Sequence, residues 1–205
     1  QLGAELGIGV VGLSPNTGYE FRVKARNADA TETAFSSSDS VNTLANAPGA
    51  PVVTQLSTTS LNLVIATNGN PASTEFLIQE IDSGEFVNRT TGALQAGEEW
   101  GTYADFGSAD GVDITGLESG VSYEFRIKAR NADSIETAYS TSSAQATFLS
   151  TPDVGSPSVL SSTSIRWSFT DNESNEDGYR VYNEEDVQVA QCVGTDLTYC
   201  DEYGL

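Results

Sequence analysis

The sequence predicts an all-β protein built from antiparallel sandwiches set in tandem. A long internal repeat is written almost verbatim twice. Apolar and polar residues alternate over short stretches. Gly- and Pro-rich punctuation separates those stretches, and no sustained 3.6-residue period runs through them.

The repeat sets the organisation. Residues 19–29 read YEFRVKARNAD and residues 123–133 read YEFRIKARNAD, differing only at Val23 against Ile127, at a spacing of 104 positions. Gly12-Leu13 and Gly116-Leu117 keep that spacing, as do Glu32-Thr33-Ala34 and Glu136-Thr137-Ala138. Ser60-Leu61 matches Ser164-Ile165 and Leu63 matches Trp167. One residue of slippage later, Phe76 and Ile78 align with Tyr179 and Val181. A unit of about 100 residues is the size of a sandwich domain rather than of a solenoid repeat, so each unit buries its own core. On this period residues 1–46 form the second half of a module, 47–150 a whole one, and 151–205 the first half of a third. Pro-rich segments at 45–52 and 149–157 read as short, fairly stiff linkers. Neither half-module is expected to fold alone. Its missing strands come from a longer chain or from a neighbouring copy.

The strands follow from alternation. Tyr19, Phe21, Val23 and Ala25 interleave with Glu20, Arg22, Lys24 and Arg26, and Tyr123, Phe125, Ile127 and Ala129 repeat the pattern. Period two of this kind marks a half-buried strand. Leu61, Leu63 and Ile65 form an earlier strand, with Ile165, Trp167 and Phe169 as its counterpart. Phe76 with Ile78, and Tyr179 with Val181, mark another. Asn68-Gly69-Asn70-Pro71, Asp82-Ser83-Gly84 and Asp177-Gly178 are turn signals between them.

On these residues the chain resembles the fibronectin type III family. GLSPNTGYEFRVKARN at 12–27 is similar to that family's E–F corner and F strand, with Leu13, Pro15, Thr17 and Tyr19 meeting its L-x-P-x-T-x-Y pattern. In the second copy, GLESGVSYEF, Leu117 and Tyr123 remain while Ser119 and Val121 replace the Pro and Thr. SIRWSFTDNESNEDGYRVY at 164–182 resembles the B strand, B–C loop and C strand of bacterial members. The resemblance implies immunoglobulin-like sandwiches in tandem. It makes Tyr19 and Tyr123 tyrosine corners and Trp167 a core tryptophan, and it implies a modular extracellular building block. It implies no ligand, because the fold hosts many functions.

Charge narrows the partners. Nine basic residues stand against 29 acidic ones, a net charge of −20 and a pI near 4.1. Such a surface repels nucleic acid and anionic membranes, whose binding needs Lys and Arg. No stretch approaches a membrane span, and the opening QLGAELGIGVVGL lacks the basic start of a signal peptide. The chain has no His, which excludes Ser-His-Asp and Cys-His catalysis, and no phosphate-cradling Gly loop. An enzyme is not expected.

Four features are candidates for more than packing. Cys192 and Cys200 are too few for a structural zinc site and are expected to form a disulfide, across a hairpin of residues 186–192 and 197–202. That bond implies an oxidising compartment, hence a secreted or surface protein. The loop from Asp171 to Gly178 spaces oxygen ligands at Asp171, Glu173 and Asn175 and leaves calcium open as a cofactor. Against this, Glu176 stands where a calcium loop needs Gly, and Tyr182 where it needs a bidentate Glu; a capped polar turn is the alternative. Arg22, Lys24 and Arg26 with Arg126, Lys128 and Arg130 form outward basic stripes, either a docking face or partners of acidic neighbours such as Glu75. The second module also carries extra length at 92–107, where Trp100, Tyr103 and Phe106 lie three apart. They either grip a glycan or a surface protein, or cover the sheet edge and core end. The leading expectation is a structural or adhesive spacer, in a stalk or filament, whose partners are neighbouring modules or subunits of the same protein. The alternative is a binding module built on the aromatic loop.

Overall fold

A computed structural model describes residues 8–204. The first seven residues of the opening stretch, and Leu205, which pairs in the repeat with Leu13 and Leu117, lie outside the described residues. The chain is all β, and its only described helical element is the 3-10 turn Ser108–Asp110. No helix among the described residues is long and apolar enough to cross a membrane.

Strand β1 (Gly18–Phe21) pairs antiparallel with β2 (Asp39–Asn42), Tyr19 opposite Val41. The strands from β3 (Val52–Gln55) to β11 (Ser143–Ala146) make two antiparallel sheets. One has the order β3–β4–β9, with β4 at Ser60–Val64 and β9 at Val112–Thr115. The other runs β11–β10–β5–β6–β7, with β5 at Glu75–Glu80, β6 at Phe86–Val87, β7 at Leu94–Gln95 and β10 at Ser122–Arg130. The short β8 (Gly101–Thr102) joins the β5 end, Phe76 opposite Gly101. This is an immunoglobulin-like antiparallel sandwich. Its alternation is the one written in the sequence: Phe76 and Ile78 from β5, and Phe125, Ile127 and Ala129 from β10, are fully buried, register-paired as Ile127 opposite Ile78. Leu77 is buried as well, so β5 is covered on both faces there.

Beyond it, β12 (Asp153–Val154), β13 (Ser158–Ser161) and β17 (Tyr199–Tyr203) pair with β14 (Ser164–Thr170), while β15 (Gly178–Tyr182) pairs with β16 (Gln188–Val193). Both tyrosine corners form. The Tyr19 hydroxyl accepts the Ser14 N–H at 2.9 Å, and the Tyr123 hydroxyl accepts the Glu118 N–H at 2.8 Å.

Two observations differ from the sequence expectation. The strand expected over 19–25 stops at Phe21, whereas its near-identical copy β10 runs to Arg130. In β10 the stretch from Phe125 to Arg130 is held by β5, whereas among the described residues β1 pairs with β2 alone. The cysteine-bearing strands do not form a hairpin: β16 pairs with β15 and β17 with β14. Cys192 and Cys200 are disulfide-bonded with Cα atoms 5.6 Å apart, so the bond ties one sheet to the other. The chain clusters into two compact units. One unit gathers the chain up to Val52 with Leu63–Val112 and Phe125–Ser143. The other gathers Val53–Asn62, Asp113–Glu124 and the chain from Ala144 on. Residues 45–52 lie in the first of these units and residues 149–157 in the second.

Candidate functional site

The aromatic loop divides into two roles. Phe106 is 1% exposed and belongs to the buried core, so its ring is not offered to a ligand. The sharp return that seats it needs Gly107 at φ +78°, where a Cβ would lie 2.0 Å from the Gly111 carbonyl oxygen. Tyr103 and Trp100 are half-buried. The Trp100 ring lies under two cations of β10, with the Arg130 guanidinium 4.4 Å and the Lys128 ammonium 5.3 Å from its centroid, and its indole N–H donates to Glu98. Tyr139 continues the stack, 4.1 Å from Arg126 and 5.3 Å from Lys128. The stripe is also neutralised. Lys128 pairs with Glu136 and Glu98, Arg130 with Glu75, and Arg126 donates twice to Gln79. Burial works against the Lys128 charge, yet its hydrogen bonds to Glu136 and Glu98 leave its pKa raised. Around β1 the pattern recurs in reduced form, with Phe35 beneath Arg22 and Lys24, and Lys24 paired with Glu32. These cations are absorbed by aromatic rings and carboxylates of their own neighbourhood.

The acidic loop is a clamp. The Ser119 hydroxyl and the Ser150 N–H both donate to the Glu173 carboxylate, and the Asn175 side-chain amide donates to the Ser119 carbonyl. Those hydrogen bonds, Ser119 first, hold the Glu173 carboxyl below its ordinary range. Gly120, at φ +64°, sits so close that a Cβ there would meet the Asn175 side chain and Leu149 at 2.6 Å. Among the described residues, no three His, Cys, Asp or Glu side chains gather as a metal would need. Asp171, Glu173 and Asn175 do not converge: Glu173 and Asn175 face the corner at Ser119, while Asp171 turns to Tyr179 and to the Glu173 N–H.

A matching clamp joins residues 14–46 to the loops of the sandwich, and sequence reasoning missed it. Asn16 is buried. Its amide donates to the Thr74 hydroxyl at 2.9 Å, and its Oδ1 accepts the Ala132 N–H at 2.9 Å. The Asn131 amide donates to the Thr43 carbonyl, and the Asn42 amide to Asp133. Asn46 and Asn70 exchange side-chain-to-backbone hydrogen bonds at 2.8 and 2.7 Å. In both clamps an E–F corner, at 14–17 or 117–120, rests on loops further along the chain. The signal available was the Asn-Ala-Asp tail of the repeated block. It falls outside the strand alternation, yet both copies keep it. Its Asn caps the turn in each copy, Asn27 for Asp29 and Thr31, Asn131 for Asp133 and Ile135.

Trp167, the expected core tryptophan, is half-buried and donates its indole N–H to Glu202, while Leu63 at the matching position is fully buried. Tyr19 and Tyr123 are likewise half-buried, as corner residues.

No protein-family profile matches the chain, and no curated protein does. Among solved structures, the two-domain fibronectin type III segment of chicken tenascin overlays with a TM-score of 0.41 at 16% identity, covering 78% of this chain and 84% of that one. Domains d3–d4 of the rat CD45 extracellular region overlay at 0.40 and 16%, covering 71% and 72%. The FN1–FN3 domains of chicken CNTN1 overlay at 0.36 and 16%, covering 95% and 67%. The fold class of this chain stands on its own strand order, register and tyrosine corners.

Proposed function

We propose that the chain is a run of tandem fibronectin type III-like modules, divided at 46/47 and 150/151, that serves as a structural or adhesive spacer in a secreted or cell-surface protein. The observation that carries this reading is the pair of side-chain clamps across the linkers, at Asn16 with Thr74 and Ala132 and at Glu173 with Ser119 and Ser150. A spacer needs neighbouring modules fastened to each other, and both linkers are spanned in this way. The inter-sheet disulfide supports an oxidising, extracellular setting. The face that carries Phe21 and Val23 is open, at 43% and 71% exposed, whereas their counterparts Phe125 and Ile127 are fully buried. Neighbouring modules or subunits of the same protein are the natural partners for that face. The structure offers less to the glycan-binding alternative, since Phe106 is in the core and Trp100 is covered by Lys128 and Arg130.

Amide hydrogen exchange tests the reading. Linker amides such as Gly49, bonded to the Ala66 carbonyl, and Ser150, bonded to Glu173, should exchange as slowly as amides inside β10. Linkers exchanging at the rate of free peptide would defeat a stiff spacer. A glycan array probed with the chain and its Trp100→Ala variant addresses the other reading: binding lost with the tryptophan would establish it.

A further inference from the structure

Two strand edges of this chain are open, and each has a repeat counterpart that is paired. The carbonyls of Val23 and Ala25 accept the N–H groups of Ser36 and Thr33 at 2.8 and 2.9 Å. Their counterparts Ile127 and Ala129 accept those of Ser140 and Thr137 at 2.7 and 2.8 Å. The Ser36 and Ser140 hydroxyls accept the Val23 and Ile127 N–H groups in the same way. Residues 21–26 are therefore built like β10 along one edge. Successive residues of a strand turn their backbone groups to opposite edges, so those of Arg22, Lys24 and Arg26 face the other edge. In β10 that edge is filled by β5, with Arg126, Lys128 and Arg130 opposite Gln79, Leu77 and Glu75. Among the described residues no strand lies along it at 22–26. The repeat counterpart of β5 is β15, residue 75 aligning with 178 and residue 80 with 183. Asp177 and Asn183 hydrogen-bond to Gly194 and Val187, on the β16 side. Gly178, Arg180 and Tyr182 thus turn their backbone groups to an edge that is also open among the described residues.

Beside the β15 edge lies a groove of about 220 Å³ lined by Val154, Trp167, Phe169, Tyr179 and Val181. In the 47–150 module the matching Leu63, Ile65, Phe76 and Ile78 are buried, and so are Phe125 and Ile127 of β10. In the groove Trp167, Phe169, Tyr179 and Val181 are only half-buried, while Phe21 and Val23, the counterparts of Phe125 and Ile127, stand open. We infer that residues 21–26 of one molecule add as a strand to β15 of a second molecule of this chain, with Phe21 and Val23 entering the groove. The inference rests on the modular reading above and names the partner surface within it. A second molecule is the occupant because residues 19–29 differ at one position from 123–133, the segment that this chain already pairs with β5. The β5–β10 register sets the pairing as antiparallel, with Val23 opposite Val181 and Ala25 opposite Tyr179. The open backbone groups of Arg22, Lys24 and Arg26 then meet those of Tyr182, Arg180 and Gly178. One contact opposes the union, since Lys24 comes opposite Arg180; its charge is offset by the pair it already makes with Glu32. Each molecule offers one such strand and one such edge, so the contact is head-to-tail and extends into an open series.

Sedimentation of the 205-residue chain over a range of concentrations tests the contact. The wild type should associate reversibly into species that grow beyond the dimer. Val23 is 71% exposed in the single chain, so Val23→Asp should fold. It should associate at least about tenfold more weakly, because it carries a charge into the groove. Arg180→Glu should associate about threefold more tightly, because it turns the opposition to Lys24 into attraction. Cross-linking reads the register. Val23 and Val181 form a non-hydrogen-bonded pair, whose Cα atoms lie about 4.5 Å apart, within disulfide reach. Val23→Cys chains mixed with Val181→Cys chains should therefore link at 23–181 on oxidation, whereas Arg180→Cys chains should not link to them. A wild type that stays monomeric at every concentration overturns the inference. So does association that Val23→Asp leaves unchanged, or a link from 23 to 180 as ready as that to 181. Linker amides that stay protected in such a monomer would keep the spacer reading, so the two fail separately.

Discussion

Replacing Asn16 with alanine should open the first clamp while leaving the sandwich beside it folded. The substitution removes the hydrogen bond to the Thr74 hydroxyl and the one from the Ala132 N–H, both at 2.9 Å. Two such bonds contribute about 2 kcal/mol together. Asn16 also sits at φ +41°, a left-handed conformation that asparagine tolerates and alanine does not, which adds about 1 kcal/mol. Thr74 is fully buried, so no water readily replaces its lost partner. The sum, about 3 kcal/mol, raises the local opening constant by about 100-fold. Amide exchange reads this directly: the Ala132 N–H should lose about two orders of magnitude of protection, while Ile127 and Ala129 in β10 keep theirs. A double-mutant cycle with Thr74→Val should show coupling of about 1 kcal/mol. Unchanged protection at Ala132, or strict additivity with Thr74→Val, would refute the claim that these bonds fasten the linker.

Other perturbations separate the remaining roles. Phe106→Ala should cost about 3–5 kcal/mol in chemical denaturation, whereas Trp100→Ala, which loses half-exposed cation–π contacts, should cost about 1 kcal/mol; equal costs would mean that the two rings share one role. Reducing the Cys192–Cys200 bond, whose ends are 8 residues apart, should lower stability by about 2.5 kcal/mol on the chain-entropy model. Denaturant titration with and without reductant measures it, and no shift would place the strands' association elsewhere. The second clamp should be acid-labile. The folded pKa of Glu173 is lowered, so its contribution is full above the ordinary value of 4.5 and is lost as pH falls through the lower folded value. Protection of the Ser150 amide should drop in that window, and in Glu173→Gln the step should vanish. A step that persists in the glutamine variant would assign it to another carboxyl.

The sandwich was legible because burial in a strand is written locally. Phe76 with Ile78, and Phe125 with Ile127, alternate in sequence and end fully buried in register with one another. The tyrosine corners were legible for the same reason, since Tyr19 and Tyr123 bond to backbone five residues upstream. The aromatic loop was not. Spacing cannot tell Phe106, which enters the core, from Trp100, which lies beneath Lys128 and Arg130, because the difference is made by segments distant in sequence. The cysteine pairing was readable from the count, but the sheet each strand joins depends on β14 and β15, which choose their partners through long-range register. The clamps were hidden in plain residues. Asn16, Asn131 and Asn175 look like ordinary turn formers, and only folding reveals that their second hydrogen-bonding groups reach across a linker.

The clamps have a consequence for how such a chain can grow. The stretch from 47 to 150 holds a loop set that receives the preceding corner, at Thr74 and Ala132, and a corner that addresses the following loop, at Ser119. A gene segment copied with breakpoints in the linkers therefore carries one socket and one plug. An inserted copy would set Gly120, the repeat's counterpart of Asn16, against Thr74 and Ala132, so each new seam needs its corner refitted with an amide side chain. Breakpoints at the edges of the compact units would instead sever strands in mid-course.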